Sequence, residues 1–540
     1  MNIIVKKFEG SIKLKFFEKT IGQMLEVRAN CTPDRPALIV KDGVYTWKDI
    51  NSIVNNICLQ MEERGVHKGD HVGIMGINSD SWLFHYFAAV KLGAVAVLFN
   101  TRFTQAEIER CIGLTELKHF FYSRNFENKP YESLMENLLY PNTSVRYCVD
   151  MEKSYEQWKE IAKESTELDF EPTDDYKAIA NVLFTSGTTG NSKGVQLTHY
   201  NLLNNSLAMV EAMGWNEKDI MAIAVPLFHS FGITGCVLSM LHACGQMYLL
   251  QSTRSVDICS VIEEYKCTVM NGVPTMFLAM LRNEHRKDFD LSTLKSGIIA
   301  GSQIFPQDYI DICNMFDGIN LQPSYGQTET SPCVSLCSLD DSIDIKANTV
   351  GKTIEGVKVR IMKKDATEPC GYNVEGEIQV KGYNVMAGYI ANPEETKSAF
   401  TSDGWLKTGD LGYVRDDGNL VITGRFKNLI IRGGENISPI EIEKAIKSII
   451  GQCEVKVFGV PTIVLQEDIV ACVEGKEDDE KRKMIMEQLK EKISGYKIPK
   501  YIFFMEEMPR NSTGKINEKV LKNKIIADLS MNRRKANKNS

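Results

Sequence analysis

Between Thr185 and Gly194 a single lysine, Lys193, stands among five hydroxyls (Thr185, Ser186, Thr188, Thr189, Ser192) and three glycines (Gly187, Gly190, Gly194), in the stretch LFTSGTTGNSKGVQLTH, residues 183–199. Glycines let backbone N–H groups converge without a Cβ in the way, hydroxyls add donors, and the lysine supplies a point charge. Such a loop suits an oligophosphate. It is not a P-loop, in which lysine directly follows glycine and directly precedes Ser or Thr; Lys193 lies three residues after Gly190 and is followed by Gly194. A Ser/Thr/Gly-rich surface loop has the same composition, so the rest of the chain must decide.

Four further segments carry residues that could do chemistry. SYGQTET, residues 324–330, holds an aromatic, a glycine, hydroxyls and a carboxylate: Tyr325, Gly326, Thr328 and Glu329. GWLKTGDLG, 404–412, sets Asp410 in a glycine-flanked turn. GRFKNLIIRGGENISP, 424–439, opens with Arg425 and Lys427 and contains the pair Gly433–Gly434. PRNSTGKINEKVL, 509–521, places Lys515 after a Ser-Thr-Gly turn. Singly, each reads as a β-turn, a solvated lysine or a helix cap.

Together, in this order, they resemble the core motifs of the adenylate-forming superfamily, which includes acyl- and aryl-CoA synthetases, nonribosomal adenylation domains and firefly-type luciferases. The resemblance spans roughly residues 20–525. It implies that 185–194 holds the β- and γ-phosphates of ATP, which depart as pyrophosphate. It also implies that Tyr325 lies against adenine beside Ser302 and Gln303, and that Thr328 bonds the α-phosphate. Glu329 would hold Mg²⁺, a hard cation that commonly binds one or two carboxylates plus phosphate oxygens. Asp410 would accept the ribose hydroxyls with Arg425 nearby, and Lys515 would offset charge at the α-phosphate as acid attacks. A hinge at Lys427 would turn a small C-terminal domain between two orientations, one delivering Lys515 and the other bringing Gly433–Gly434 to line a channel for a thiol.

Superfamily membership does not select the acid. Amino-acid activators of this family carry an aspartate near the start of the pocket; the matching stretch here, PLFHSFGITG (226–235), has none. It has His229 and Phe231, and His229 is expected as an aromatic gate between acyl and thiol pockets. The segments NGVPTM (271–276) and GIIAGS (297–302) are also uncharged. A neutral fatty or aromatic acid, with coenzyme A as acceptor, is the expected pair. A carrier-protein phosphopantetheine is the alternative acceptor; a luciferase-type oxygenase and a non-catalytic nucleotide sensor are further readings. One departure from many relatives is Pro323–Ser324 before Tyr325, where they have glycine.

The elements that must position these residues follow from pattern. At 540 residues the chain is long enough for two or three cores. Net charge −7 argues against a general nucleic-acid binder. No apolar run is long enough for a membrane helix, the lysine-interrupted N-terminus lacks a signal-peptide core, and a cytoplasmic enzyme is expected. The fourteen cysteines show no C-x-x-C pair and read as buried reduced thiols. Alternating helical and strand patterns to about 345 predict α/β layers on largely parallel sheets. In detail, 232–245 reads as a helix, 350–424 as a β-rich part, and the remainder as a small α+β unit with a polar, disordered tail at 530–540. The expected domains are 1–426, the large adenylation domain, and 427–540.

Overall fold

The strand Val95–Phe99 (VAVLF) is buried at every position rather than at alternate ones, so both of its faces need cover. The computed structural model describes all residues other than 1–15, 42, 124, 127–128, 131, 140, 153–169, 186–191, 364–365, 426–428, 452, 463, 510–515 and 537–540. It supplies that cover by packing helices against two large sheets. In a seven-stranded sheet, Ile179–Thr185, Val95–Phe99, His71–Met75, His119–Tyr122 and Tyr147–Asp150 run parallel. The same sheet then turns antiparallel through Lys193–Thr198 and Gly388–Tyr389.

A nine-stranded sheet is parallel through its middle, where Gln246–Leu249, Ile220–Ile223, Val269–Met270, Ser296–Ile299 and Asn320–Tyr325 lie side by side in that order. Parallel strands all end at one edge, and open α/β sheets bind ligands beyond that edge. Beyond these strands come His229, Val273, Gly301 and Thr328, which share one cleft.

The β-rich part is a four-stranded antiparallel sheet of Val357–Met362, Gly376–Gly382, Leu406–Val414 and Leu420–Arg425. The C-terminal unit has its own sheet, in which Val455–Thr462, Gln466–Glu474 and Tyr501–Met505 alternate their side chains between two cores. Pro439–Ile450 and Asp479–Lys492 bury Ile442, Ile446, Ile485 and Leu489 in one core. Glu518–Ala536 puts Leu521 and Ile525 into the other.

Two expectations change. The helix expected over 232–245 begins as π-type winding, Phe231–Leu238, before α-helical Ser239–Ala243. Its two glycines face crowded ground: a Cβ on Gly232 would lie 2.1 Å from the Pro226 carbonyl oxygen, and one on Gly235 would lie 2.6 Å from the Phe231 ring. The C-terminal helix also continues to Ala536, through much of the expected disordered tail, because Leu, Lys, Ile, Arg and Ala are residues a helix tolerates well. Among the described residues, no helix is long and apolar enough to cross a membrane.

Candidate active site

Gly433 and Gly434 show how local sequence shapes the site. The strands Ile430–Arg432 and Glu435–Ile437 pair with Arg432 opposite Glu435, leaving a two-residue hairpin turn. Both turn residues have positive φ, 58° and 84°, which only glycine adopts without strain. A Cβ on Gly434 would lie 3.2 Å from Val273, so the turn also needs glycine to approach the large region. The hairpin enters a cleft of ≈ 860 Å³.

Just past the turn, Glu435 faces His229, with Oε1 3.4 Å from Nε2, and Asn100 Nδ2 donates to the same oxygen at 3.5 Å. Burial pushes the Glu435 carboxyl up, but the His229 ring and Arg102 outweigh it and hold the group below the usual carboxylate range. Glu435 is the only acidic residue among the described ones lining the cleft, against Arg102, Arg254 and Arg432; Lys497 also lines it but is paired with buried carboxylates. That balance favours anionic ligands. Met209, Val225, Phe228, Phe231, Ile298 and Cys333 supply apolar lining.

His229 follows the strand Ile220–Ile223, its N–H bonded to the Pro226 carbonyl. The crowding at Gly232 holds this loop, so Gly232→Ala is expected to destabilise the fold by about 1–3 kcal/mol. A lower urea midpoint at unchanged slope would report this, and an unchanged midpoint would show that the loop relaxes.

Tyr325 ends the strand Asn320–Tyr325 and donates its hydroxyl to Asp410 Oδ2 at 2.7 Å, inside the protein. Asp410 lies on Leu406–Val414 opposite Arg425, and Thr408 Oγ1 accepts its N–H at 3.1 Å. The next residue, Gly326, has no room for a side chain: a Cβ would sit 1.6 Å from the Pro332 carbonyl oxygen. Ser324 is tied to the Ser335 carbonyl at 2.8 Å and lines the cleft.

Thr328 and Glu329 begin the short 3₁₀ turn Thr328–Thr330. Glu329 Oε1 accepts the Tyr389 hydroxyl at 2.9 Å. Burial and the neighbouring Glu329 charge push the Tyr389 phenol well up, so it stays a donor at neutral pH.

In the Ser/Thr/Gly-rich stretch, Thr185 and Lys193 pair on antiparallel strands, and Thr185 and Ser192 line the cleft. Ser186, Gly187, Thr188, Thr189 and Gly190 lie outside the described residues, as do Lys427 and Lys515. Lys193 is paired with Glu395 and lies over the Tyr389 ring, 4.9 Å from its centroid. Ser302 Oγ and the Gln303 carbonyl accept from Gln466 Nε2 of the C-terminal unit, at 2.9 and 2.6 Å.

Glu435, Tyr389, Glu395 and Gln466 were not singled out by sequence. Glu435 had a signal, since it directly follows the glycine pair. The others become neighbours of the site only through the fold.

The family model described as AMP-binding enzyme matches residues 25–390, and that of the AMP-binding enzyme C-terminal domain matches 441–515. The chain is 30% identical to the human mitochondrial medium-chain acyl-CoA ligase ACSF2 over 97% of this chain and 90% of that protein. It superposes on o-succinylbenzoate CoA synthetase (MenE) from Bacillus subtilis, bound with its product analogue OSB-NCoA, at TM-score 0.80, with 27% identity over 93% of this chain and 98% of that one. On ATP-bound MatB from Rhodopseudomonas palustris the TM-score is 0.68, with 27% identity over 93% and 98%. With both family models matched and a full-length relative at 30% identity, the chain belongs to the AMP-binding enzymes of the adenylate-forming superfamily, on their acyl-CoA synthetase branch.

Proposed function

We propose that the enzyme joins a neutral fatty or aromatic acid to the thiol of coenzyme A in two half-reactions. First, a carboxylate oxygen attacks the α-phosphorus of ATP and pyrophosphate leaves. Then the thiol sulfur attacks the acyl carbon and AMP leaves. The observation that carries this reading is the shared cleft, in which Thr328, His229 and the Gly433–Gly434 turn meet beside apolar walls. Among the described residues its one lining carboxylate, Glu435, is set against His229 and Asn100 rather than toward a substrate ammonium. A carrier-protein phosphopantetheine arm is the alternative acceptor.

In this reading Thr185, Ser186, Gly187, Thr188, Thr189, Gly190 and Lys193 hold the departing phosphates. Tyr325, Ser302 and Gln303 frame adenine. Asp410, with Arg425 nearby, takes the ribose hydroxyls. Thr328 bonds the α-phosphate and Lys515 neutralises charge there. Glu329 fits a Mg²⁺ site: it is one partly buried carboxylate, held by a phenol hydroxyl, in a turn beside the cleft. A bound Mg²⁺ would offset phosphate charge.

His229 gates the thiol channel. The domains divide at Lys427 into 1–426 and 427–540. The orientation described here, with Gly433–Gly434 in the cleft, corresponds to the thiol-accepting one. The better superposition on the product-analogue complex than on the ATP complex is in keeping with that.

The test is a carboxylic-acid panel scored by ATP–pyrophosphate exchange. Fatty or aryl acids should support exchange and free amino acids should not. Exchange with an amino acid alone would refute the proposed substrate class.

A further inference from the structure

One buried ionic cluster lies apart from the reacting groups and joins the two parts of the chain. Glu107, on the helix Gln105–Thr115, is buried, and its two carboxylate oxygens do different work. Oε2 accepts from the Thr104 N–H at 2.7 Å and the Thr104 hydroxyl at 2.9 Å, capping its own helix. The same oxygen accepts from Ser494 Oγ at 2.5 Å. Oε1 accepts from Lys497 Nζ at 2.5 Å. Lys497, equally buried, also donates to Glu441 Oε1 at 2.8 Å.

Burial and the second carboxylate raise Glu441 despite Lys497. Burial also acts to raise Glu107, but the Lys497 charge outweighs it, so Glu107 is a carboxylate at neutral pH.

Glu441, Ser494 and Lys497 all belong to the C-terminal unit and move with it. Glu107 does not. The bonds of Glu107 to Ser494 and Lys497 therefore exist only while the unit lies as it does here, with Gly433–Gly434 in the cleft. Taking Glu107 away leaves Lys497 paired with Glu441 alone and strips the buried Ser494 hydroxyl and one Lys497 N–H of their acceptor across the two parts, and buried donors left unmet disfavour the arrangement that buries them.

We infer that Glu107 is a positioning residue for acyl transfer, a latch that acts through Lys497 and Ser494 to hold the C-terminal unit in its thiol-accepting orientation. This rests on the two-orientation reading above. The interaction is charge-assisted, the strong class of hydrogen bond, and it biases an equilibrium rather than touching reacting atoms.

The test is Glu107→Gln in the full-length enzyme. Glutamine is itself a capping-box residue, so the helix start retains a partner. Its amide has one acceptor: turned to Thr104, it presents NH₂ to Lys497; turned to Lys497, it abandons the cap. Single-turnover kinetics of each half-reaction should show transfer from supplied acyl-adenylate to coenzyme A falling by ~10-fold or more. Adenylation should stay within about two-fold. Hydrogen exchange in the unliganded enzyme should rise together in residues 105–115 and 493–500. Glu107→Asp, which keeps the charge, should recover part of the transfer rate.

Equal loss in both half-reactions with a lower unfolding midpoint would make Glu107 merely structural and overturn the latch, and unchanged transfer would overturn it too. Lys427→Pro separates the two ideas. If that variant or Lys515→Ala splits the half-reactions and Glu107→Gln does not, the latch alone is wrong; if none of the three splits them, the two-orientation reading fails.

Discussion

Replacing Lys515 with alanine is expected to slow acyl-adenylate formation by ~10²–10³, because it removes a cation used chiefly as charge develops in the transition state. Transfer from supplied acyl-adenylate to coenzyme A should stay nearly intact. The asymmetry follows from the geometry of the C-terminal unit. With Gly433–Gly434 in the cleft, Glu435 of the same hairpin meets His229 and Asn100, and Gln466 meets Ser302 and Gln303. In the proposed two-orientation reading, that unit lets go of these partners before Lys515 acts at the α-phosphate. Pyrophosphate exchange and single-turnover transfer, measured on the same preparation, check the split. Equal loss of both steps would show that Lys515 serves the fold instead.

The second large effect is expected at the hinge. If Lys427 is the pivot, its backbone visits two conformations, and proline confines φ near −65° while restricting Phe426 before it. Lys427→Pro should favour one orientation, with adenylation surviving and transfer falling by at least ~10². Lys427→Ala removes the charge without the backbone constraint and should be milder on transfer. Rapid-quench kinetics of each half-reaction for both variants decide the matter. Should proline slow both steps alike, or behave as alanine does, the pivot lies elsewhere.

Much of this architecture could be read from sequence because it depends on short-range pattern. Alternating helices and apolar strands imply parallel sheets covered on both faces, and the sheets through Val95–Phe99 and Ser296–Ile299 are built that way. The glycine pair at 433–434 announced a special backbone, although its two-residue hairpin turn emerged only with the strand pairing.

What pattern could not reach was contact at long range. Glu107 and Lys497 meet across 390 positions, and each alone reads as an ordinary surface charge. Tyr389 reaches Glu329, and Gln466 reaches Ser302, only because separate sheets come together. The π-type winding at Phe231–Leu238 accompanies a close approach of Gly232 to the Pro226 carbonyl, and no local propensity encodes either.

The central claim, acid activation followed by transfer to coenzyme A, is tested most directly by following products with one acid that passes the exchange panel. Purified enzyme, ATP, Mg²⁺ and that acid are mixed with and without coenzyme A and resolved by mass spectrometry. Without coenzyme A, acyl-AMP and pyrophosphate should form in amounts near that of the enzyme. With it, acyl-CoA and AMP should accumulate in equal amounts over many turnovers. ADP and phosphate in place of AMP and pyrophosphate, or acyl-AMP that persists while coenzyme A goes unconsumed, would contradict the account.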